Sequence, residues 1–497
     1  MKMTYTGRAI GLLAALLILA GCSLAPHYEV PDMRLPVAWK EAPATGADGA
    51  WKAAEPAEAA ARGEWWKLFG DSRLDALETE AMSANQNLRA AAARLQQSRS
   101  LLGTAKADRL PQIGAGFGPT RQRPSPASQG LPPDADTGFS RLWRAQGTVS
   151  YEADLFGRVA ASVDAARADA AQNEALFRSL QLALQADVAN AWFQLRELDA
   201  EQALFDRTQE LRGRNLKLAQ QRFDAGDVGE LDLARAQTEY ASAQSQAQGV
   251  ALQRATTEHA LALLLGKTPA ELDLAALPLE RMSLRLPAGL PSSLLERRPD
   301  IAAAERAMAA ANARIGVARS AFFPSLVITG SAGYESAGLG DLFNWSSRSF
   351  LLGPLAGTML NLPIFDGGRR GAALDRAWAA HEEQVANYRQ SVLNAFREVE
   401  DGLAGLRLID ARIQAQDEAV KASRRALELA RTQYREGYTS SLEALDADRS
   451  LLEQQRLAVQ LDGERARTTV GLIRALGGGW QGLEAAPRGE AEAGPGA

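Results

Sequence analysis

Few residues of this 497-residue chain have the type and spacing to carry chemistry, and none is spaced for catalysis. Gly266-Lys267-Thr268 ends like a phosphate-binding loop, but such a loop needs an earlier glycine to let backbone N–H groups cradle the phosphates, and position 261 is Leu261. His381-Glu382 lacks the second histidine one turn on that a zinc-protease helix requires, since Val385 stands there. His27, His259 and His381 are too far apart in sequence to suggest a metal cluster, and Cys22 is the only cysteine, so no disulfide framework can form. No enzyme activity, cofactor or metal is expected. What remains is charge in particular places. Ser440 and Glu443 have the S-x-x-E spacing of a capping box, Asp446 and Arg449 have the spacing of an exposed helical ion pair, and Leu442 shares a helix face with Asp446.

The N-terminus carries a second kind of chemistry. Lys2 and Arg8 precede the apolar run Ala9 to Ala20, which is too short for a membrane span and reads as a signal peptide over 1–21. Leu19-Ala20-Gly21-Cys22 resembles a bacterial lipobox, which implies cleavage before Cys22 and acylation there; Ser23 fits sorting to the outer membrane. Residues 22–63 are rich in Pro, Ala and Gly and read as a lipidated tether. A net charge of -5 gives no support to a nucleic-acid partner.

The elements that must position these residues are dominated by one heptad run. Val385, Val392, Val399, Leu406, Ile413, Val420, Leu427 and Tyr434 recur at seven-residue intervals, the mark of a helix packed side by side with others. Small residues three places on, including Ala395, Gly402, Ser423 and Ala430, let a neighbouring backbone approach. At about 1.5 Å per residue, the span from Arg369 to Glu436 is on the order of 100 Å long.

Taken in order, Trp65-Trp66-Lys67-Leu68-Phe69 opens ordered structure, Leu74 to Ala81 marks a short helix, and Asn85 to Arg109 a second one. Two period-two stretches follow, at about 112–120 and 139–153. The first alternates Ile113, Ala115 and Phe117 with Gln112 and glycines; the second alternates Trp143, Ala145, Gly147, Val149 and Tyr151 with polar residues. Such alternation suits a strand between lipid and water, and equally a half-buried strand of a soluble sheet. A helix from Gly157 to about Arg222, a turn at Ala225-Gly226-Asp227 and a helix from Glu230 to Leu265 complete the pattern. It then begins again. Leu88, Leu102 and Ala105 align with Ile301, Ile315 and Ala318, while Val188, Leu195, Phe223, Gly226 and Leu231 align at one offset with Val399, Leu406, Tyr434, Gly437 and Leu442. The reading is a tandem duplication: a first repeat over 64–270, a linker over 271–293, a second repeat over 294–480 with strands at about 325–335 and 350–362, and a disordered tail over 481–497.

In each half a long helix lies between two short ones whose lengths sum to its span, so the short helices can stack end to end beside it. Four strands per chain cannot close a membrane barrel, which needs at least about eight. Three copies supply twelve and remove every sheet edge. The expected fold is therefore mainly α with a membrane β-barrel portion: a duplicated helical barrel plus four strands per chain, closing a 12-stranded barrel as a homotrimer.

Leu295-Glu296-Arg297-Arg298-Pro299-Asp300-Ile301, Pro363-Ile364-Phe365-Asp366-Gly367-Gly368-Arg369 and Leu476-Gly477-Gly478-Gly479-Trp480 resemble the TolC-like family of outer-membrane efflux channels, nearest its OprM/NodT-type lipoproteins, with likeness from Trp65 to Trp480. The resemblance implies a trimer in the outer membrane with a helical tunnel across the periplasm, a periplasmic membrane-fusion adaptor and an inner-membrane RND-type pump as partners, and lipid around the barrel. It places a periplasmic gate at Leu442, Glu443, Asp446 and Arg449, and adaptor-docking tips at Gly226, Val228, Gly229, Gly437, Thr439 and Ser440. In a three-fold ring, Asp446 would form an acidic throat that favours cations. Without the resemblance, Glu443 reads equally as a capping residue and Asp446–Arg449 as a surface pair. The expected function is a passive exit duct for small molecules such as drugs, organic solutes or metal ions. A protein-secretion channel and a non-conducting coiled-coil envelope lipoprotein stand as alternatives, the latter disfavoured by the alternating strands.

Overall fold

The computed structural model describes residues 24–33, 39–41, 64–281, 298–353 and 360–478. The signal peptide, Cys22, most of the tether, Leu295 to Arg297, Trp480 and the tail lie outside the described residues. The chain forms two compact units: Met1–Asp32, Arg94–Glu174 and Ala303–Arg389 make the first, and Met33–Ala93, Ala175–Ala302 and Gln390–Ala497 the second. The helices are α1 (Ser72–Ala84), α2 (Gln86–Ala107), α3 (Arg158–Asp224), α4 (Glu230–Leu264), α5 (Pro299–Ser320), α6 (Arg369–Arg435) and α7 (Ser441–Ala475). Both α3 and α6 are 67 residues long, and α4 and α7 are both 35.

The first unit holds the sheet. Strands β1 (Gln112–Gln122), β2 (Ser140–Ala153), β3 (Ser325–Ser336) and β4 (Arg348–Leu352) pair antiparallel in sequence order, and β5 (Leu360–Asn361) pairs with the start of β3. The fourth strand, expected over 350–362, is thus described as two pieces on one partner, with 354–359 outside the described residues. Strands β2 and β5 each lead into a long helix, α3 and α6, through a capped turn. Asp154 accepts from the N–H groups of Val159 and Ala160 at 3.0 and 2.7 Å, and Asp366 accepts from those of Gly368 and Arg370, both at 3.1 Å. A carboxylate there satisfies N–H groups that have no partner within the helix. The Arg370 guanidinium, 2.7 Å away, holds the Asp366 carboxyl below its ordinary range. The Asp366-Gly367-Gly368 motif is thus a strand-to-helix joint, with its glycines at φ +65° and +89°.

Residues 24–33 lie along α5. The Leu24 carbonyl accepts from Arg319 (3.3 Å), the Pro26 carbonyl from Asn312 (2.9 Å), and the Tyr28 hydroxyl reaches Glu305 (3.2 Å). The face of α5 on the other side of the helical period, with Ala307, Ala311, Arg314 and Ala318, lines a groove of about 830 Å³ with α3 and α6. Its walls are mostly alanine, with one ion pair, Arg314 to Asp169 at 2.6 Å.

In the second unit the core gathers Trp65, Trp66, Leu74, Leu77 and Ala81 against Val188, Trp192, Leu195, Leu261 and Val470. Asp71 caps α1 at the Arg73 and Leu74 N–H groups and also accepts from Trp192 (2.8 Å) and Arg196 (2.6 Å), so one carboxylate ties the Trp-rich turn to α3. The heptad face of α6 points inward at Val392, Val399, Ile413 and Leu427, whereas Tyr434 at its end is exposed. Small residues set the helix spacing. A Cβ on Gly402 would fall 3.1 Å from Leu472, and one on Gly463 would fall 1.9 Å from the Glu197 carboxylate, so a side chain at 463 would displace the Glu197 side chain from its place between α3 and α7. Buried Arg298 joins the start of α5 to α6 and α7 through Asp300 (2.6 Å), Glu398 (2.8 Å) and the Ala475 carbonyl (2.9 Å).

Candidate functional site: hairpin tips and strand wall

The α3–α4 and α6–α7 hairpins turn in the same way. Gly226 and Gly437 sit at φ +78° and +80°, and the next residue's N–H returns to the helix: Asp227 to the Arg222 carbonyl and Tyr438 to that of Gln433, each at 2.8 Å. A left-handed residue closing a 6→1 bond is the Schellman ending, which favours glycine. Val228 and Gly229 then lead into α4, and Thr439 and Ser440 into α7. Ser440 holds the N-cap position, but its side chain makes no capping hydrogen bond, so the reciprocal capping box suggested by Ser440 and Glu443 does not form.

Just inside these turns, an ionic network joins the two hairpins. Arg449 on α7 donates through Nε to Glu239 Oε1 on α4 at 2.9 Å, makes a second contact with the same carboxylate through its other nitrogen, and reaches Asp446 at 3.2 Å. The bond to Glu239 raises the Arg449 pKa, and Asp446 adds to the effect. Glu239 and Arg212 are each 5% exposed and pair at 3.0 Å. Asp448 lies 3.9 Å from Arg212 and 2.9 Å from Arg431 on α6. Nearer the tip, Arg222 on α3 donates to the Tyr434 hydroxyl on α6 at 3.4 Å. Between these links lies a cleft of about 480 Å³ whose walls include Leu218, Val228, Tyr434 and Leu445.

Of the four expected gate residues, Asp446 and Arg449 meet in this network. Leu442 remains 40% exposed on the same helix, and Glu443 joins no ion pair among the described residues. An isolated Asp446–Arg449 surface pair is an incomplete description, because the stronger partner of Arg449 is Glu239. Sequence reasoning missed Glu239, Arg212, Arg431, Asp448 and the link from Arg222 to the Tyr434 hydroxyl. Glu239 and Arg449 are 210 positions apart and occupy unmatched positions of the two halves, so no local spacing marks them. Arg235, the counterpart of Asp446, lies near Asp232 at 3.8 Å.

The strand register sorts the sheet into two faces. Opposite one another on one face lie Ile113, Val149, Gly330 and Leu352; then Ala115, Gly147, Ala332 and Phe350; then Phe117, Ala145, Tyr334 and Arg348. The other face carries the Arg144–Glu335 ion pair (2.9 Å) and the Gln146–Ser349 hydrogen bond (2.9 Å). Phe117 stacks on Trp143 at 5.9 Å on the apolar side. A one-residue slip would mix the faces, so the register itself specifies an apolar and a polar side. Among the described residues no helix is long and apolar enough to cross a membrane, and no group of three or more His, Cys, Asp or Glu is placed to hold a metal.

A sheet with one lipid-compatible face, joined to long helical hairpins tied together at their tips, defines an outer-membrane channel subunit. The chain belongs to the outer membrane efflux protein family, whose description matches residues 77–267 and 290–478. Among its relatives, the toluene efflux pump outer membrane protein TtgC of Pseudomonas putida is 35% identical over 485 residues, 96% of each chain. The cation efflux system protein CusC of Escherichia coli is 34% identical over 469 residues, 94% of this chain and 97% of that one. The crystal structure of the open state of the Neisseria gonorrhoeae MtrE outer membrane channel superposes with a TM-score of 0.78 at 31% identity, covering 92% of this chain and 98% of MtrE.

Proposed function

We propose that three copies of this chain close a twelve-stranded barrel and a continuous helical tunnel, forming the passive exit duct of a tripartite efflux system. The observation that supports this reading is the sheet register, which gives each chain a four-position sheet with one apolar and one polar face, fewer strands than a membrane barrel needs. The alanine-lined groove beside α5 supports it as a stretch of tunnel wall that offers little for a solute to bind. The chain performs no chemistry of its own. A periplasmic adaptor docks at Gly226, Val228, Gly229, Gly437, Thr439 and Ser440, and an inner-membrane RND-type pump supplies solute and energy. Acylated Cys22 anchors the chain in the outer membrane. The path of residues 24–33 is consistent with this, since Leu24 meets Arg319 in the last turn of α5, the end of that helix that leads to β3. The two halves are repeats of one unit, and the second carries the gate.

In the closed duct, Leu442 and Asp446 narrow the throat, and Arg449–Glu239 and Arg222–Tyr434 hold the second hairpin against the first. Opening separates the α6–α7 hairpin from α3–α4 and breaks these links. Relatives of nearly equal identity are named for toluene and for cations, so the duct takes small molecules delivered by its pump. Planar-bilayer recording of the purified trimer tests the proposal. Low basal conductance that rises on Arg449→Ala is expected; a folded trimer that conducts with neither the native sequence nor any tip variant would overturn it.

A further inference from the structure

At the end of the sheet away from the helices, β1 and β2 place Arg121 directly opposite Arg141. Directly paired residues share a sheet face with Cβ atoms roughly 5 Å apart, and like charges so placed are destabilising. They also share the face of Phe117 and Trp143, the apolar one, just past its aromatic margin. Arg348, on β4, lies on that face too, opposite Tyr334 and against the Trp345 ring.

None of these three guanidiniums makes an ion pair with a carboxylate among the described residues, and all three are exposed. Arg121 lies 4.4 Å over the Phe139 ring, which orients it without neutralising it. Acids nearby are committed elsewhere or make no ion pair with these arginines: Asp136 pairs with Arg123 at 2.8 Å, Glu335 pairs with Arg144 on the opposite face, and Asp341 accepts from Asn344. The apolar face of β1 to β4 thus carries cations at its outer margin and no anion. Arginine forks match phosphate oxygens in geometry as well as charge.

Building on the barrel reading above, we propose that Arg121 and Arg141, flanked by Phe139, bind the phosphate of an outer-leaflet lipid. The aromatic side chains beneath would meet its acyl chains at the level where ring and headgroup coincide. The occupant is a phosphomonoester-bearing lipid, because two adjacent guanidiniums suit a dianion better than a zwitterionic headgroup, which brings its own cation.

The test is native mass spectrometry of the full trimer in non-ionic detergent, titrated with lipid A, with enzymatically dephosphorylated lipid A, and with inorganic phosphate as competitor. Expected is saturable lipid A binding, at least tenfold weaker binding of the dephosphorylated form, a similar loss in the Arg121→Ala/Arg141→Ala double variant, and no displacement by millimolar inorganic phosphate. Equal binding of the two lipids by the native trimer, or undiminished binding by a folded double variant, overturns the proposal; displacement by inorganic phosphate would show an anion site without lipid specificity and overturn it as well. If the double variant does not fold, the two-lipid comparison on the native trimer decides. Bilayer conductance of the same preparations reports separately on the duct.

Discussion

Arg449→Ala should open the duct without unfolding it. The Arg449 side chain is 53% exposed and its partner Glu239 is 7% exposed, so the pair is screened on one side only. Half-exposed pairs contribute about 0.5–1 kcal/mol. Glu239 is not stranded by the substitution, because Arg212 still holds it at 3.0 Å. If the three hairpins move together, the loss sums to ~2 kcal/mol, which is an increase of about 30-fold in the open-to-closed ratio. Arg212→Ala must behave differently. It leaves buried Glu239 dependent on an exposed partner, and breaking a buried pair costs about 3–5 kcal/mol, so this variant should lose thermal stability before gating can be read. Single-channel recording at low voltage gives the open fraction, and differential scanning fluorimetry gives the stability. A double-variant cycle with Glu239→Gln isolates the link, and its coupling term should account for most of the Arg449→Ala effect. An unchanged open fraction in a folded Arg449→Ala trimer, or strict additivity with Glu239→Gln, refutes the latch.

Asp446→Asn should weaken block of the duct by a trivalent cation such as La³⁺ at least tenfold while leaving the Arg449–Glu239 bond intact, as checked by current inhibition against concentration. Glu78 is fully buried with neither carboxylate oxygen hydrogen-bonded, and burial, with a smaller contribution from Asp75, pushes its pKa up to about 9 from an ordinary 4.5. The folded chain therefore holds a proton that the unfolded chain has released, so the cost is absent below pH 4.5 and grows until pH passes about 9. At pH 7 this amounts to at most ~3 kcal/mol. Glu78→Leu should accordingly raise the melting temperature clearly at pH 7.5 and much less at pH 5, and parallel pH profiles for the two proteins would contradict it. Arg298→Ala should cost about 1–3 kcal/mol, chiefly by leaving the Ala475 carbonyl without its donor, since Asp300 and Glu398 are both partly exposed to water. Arg298→Lys should recover only part of that loss in a chemical denaturation series, since an ammonium cannot reach three partners as a planar fork does.

Periodicity made the scaffold legible. Helix α6 announces itself because its packing face repeats every seven residues, and β2 because apolar and polar side chains alternate between the two faces of the sheet. Turn glycines are readable for a local reason, since a left-handed residue at the end of a helix favours one amino acid. The latch was hidden because each of its parts has an ordinary local explanation. Glu239 looks like any polar residue of a long helix, and only the approach of the two hairpins turns it into a buried acceptor shared by Arg212 and Arg449. The S-x-x-E spacing misled for the converse reason. It describes what Ser440 could do at a helix start, whereas its side chain makes no capping bond in the folded chain.

The latch also explains why the two halves differ where they do. Two identical hairpins would offer the same charges to each other, and a ring built from them would have no preferred moving part. Here the first hairpin supplies the buried acceptor, Glu239, fixed on its own side by Arg212. The second supplies the exposed donor, Arg449, together with its neighbour Asp446, the acid proposed for the throat. Replacing Arg235 in the first half and Asp446 in the second by each other's residue would put like charges beside existing partners, next to Asp232 and next to Arg449. Because the exposed half of the Arg449–Glu239 link belongs to α6–α7 and the Arg222–Tyr434 link is exposed on both sides, that hairpin can leave while α3–α4 keeps its buried Arg212–Glu239 pair. Motion of the second hairpin against a fixed first one is therefore the least expensive way for this fold to open.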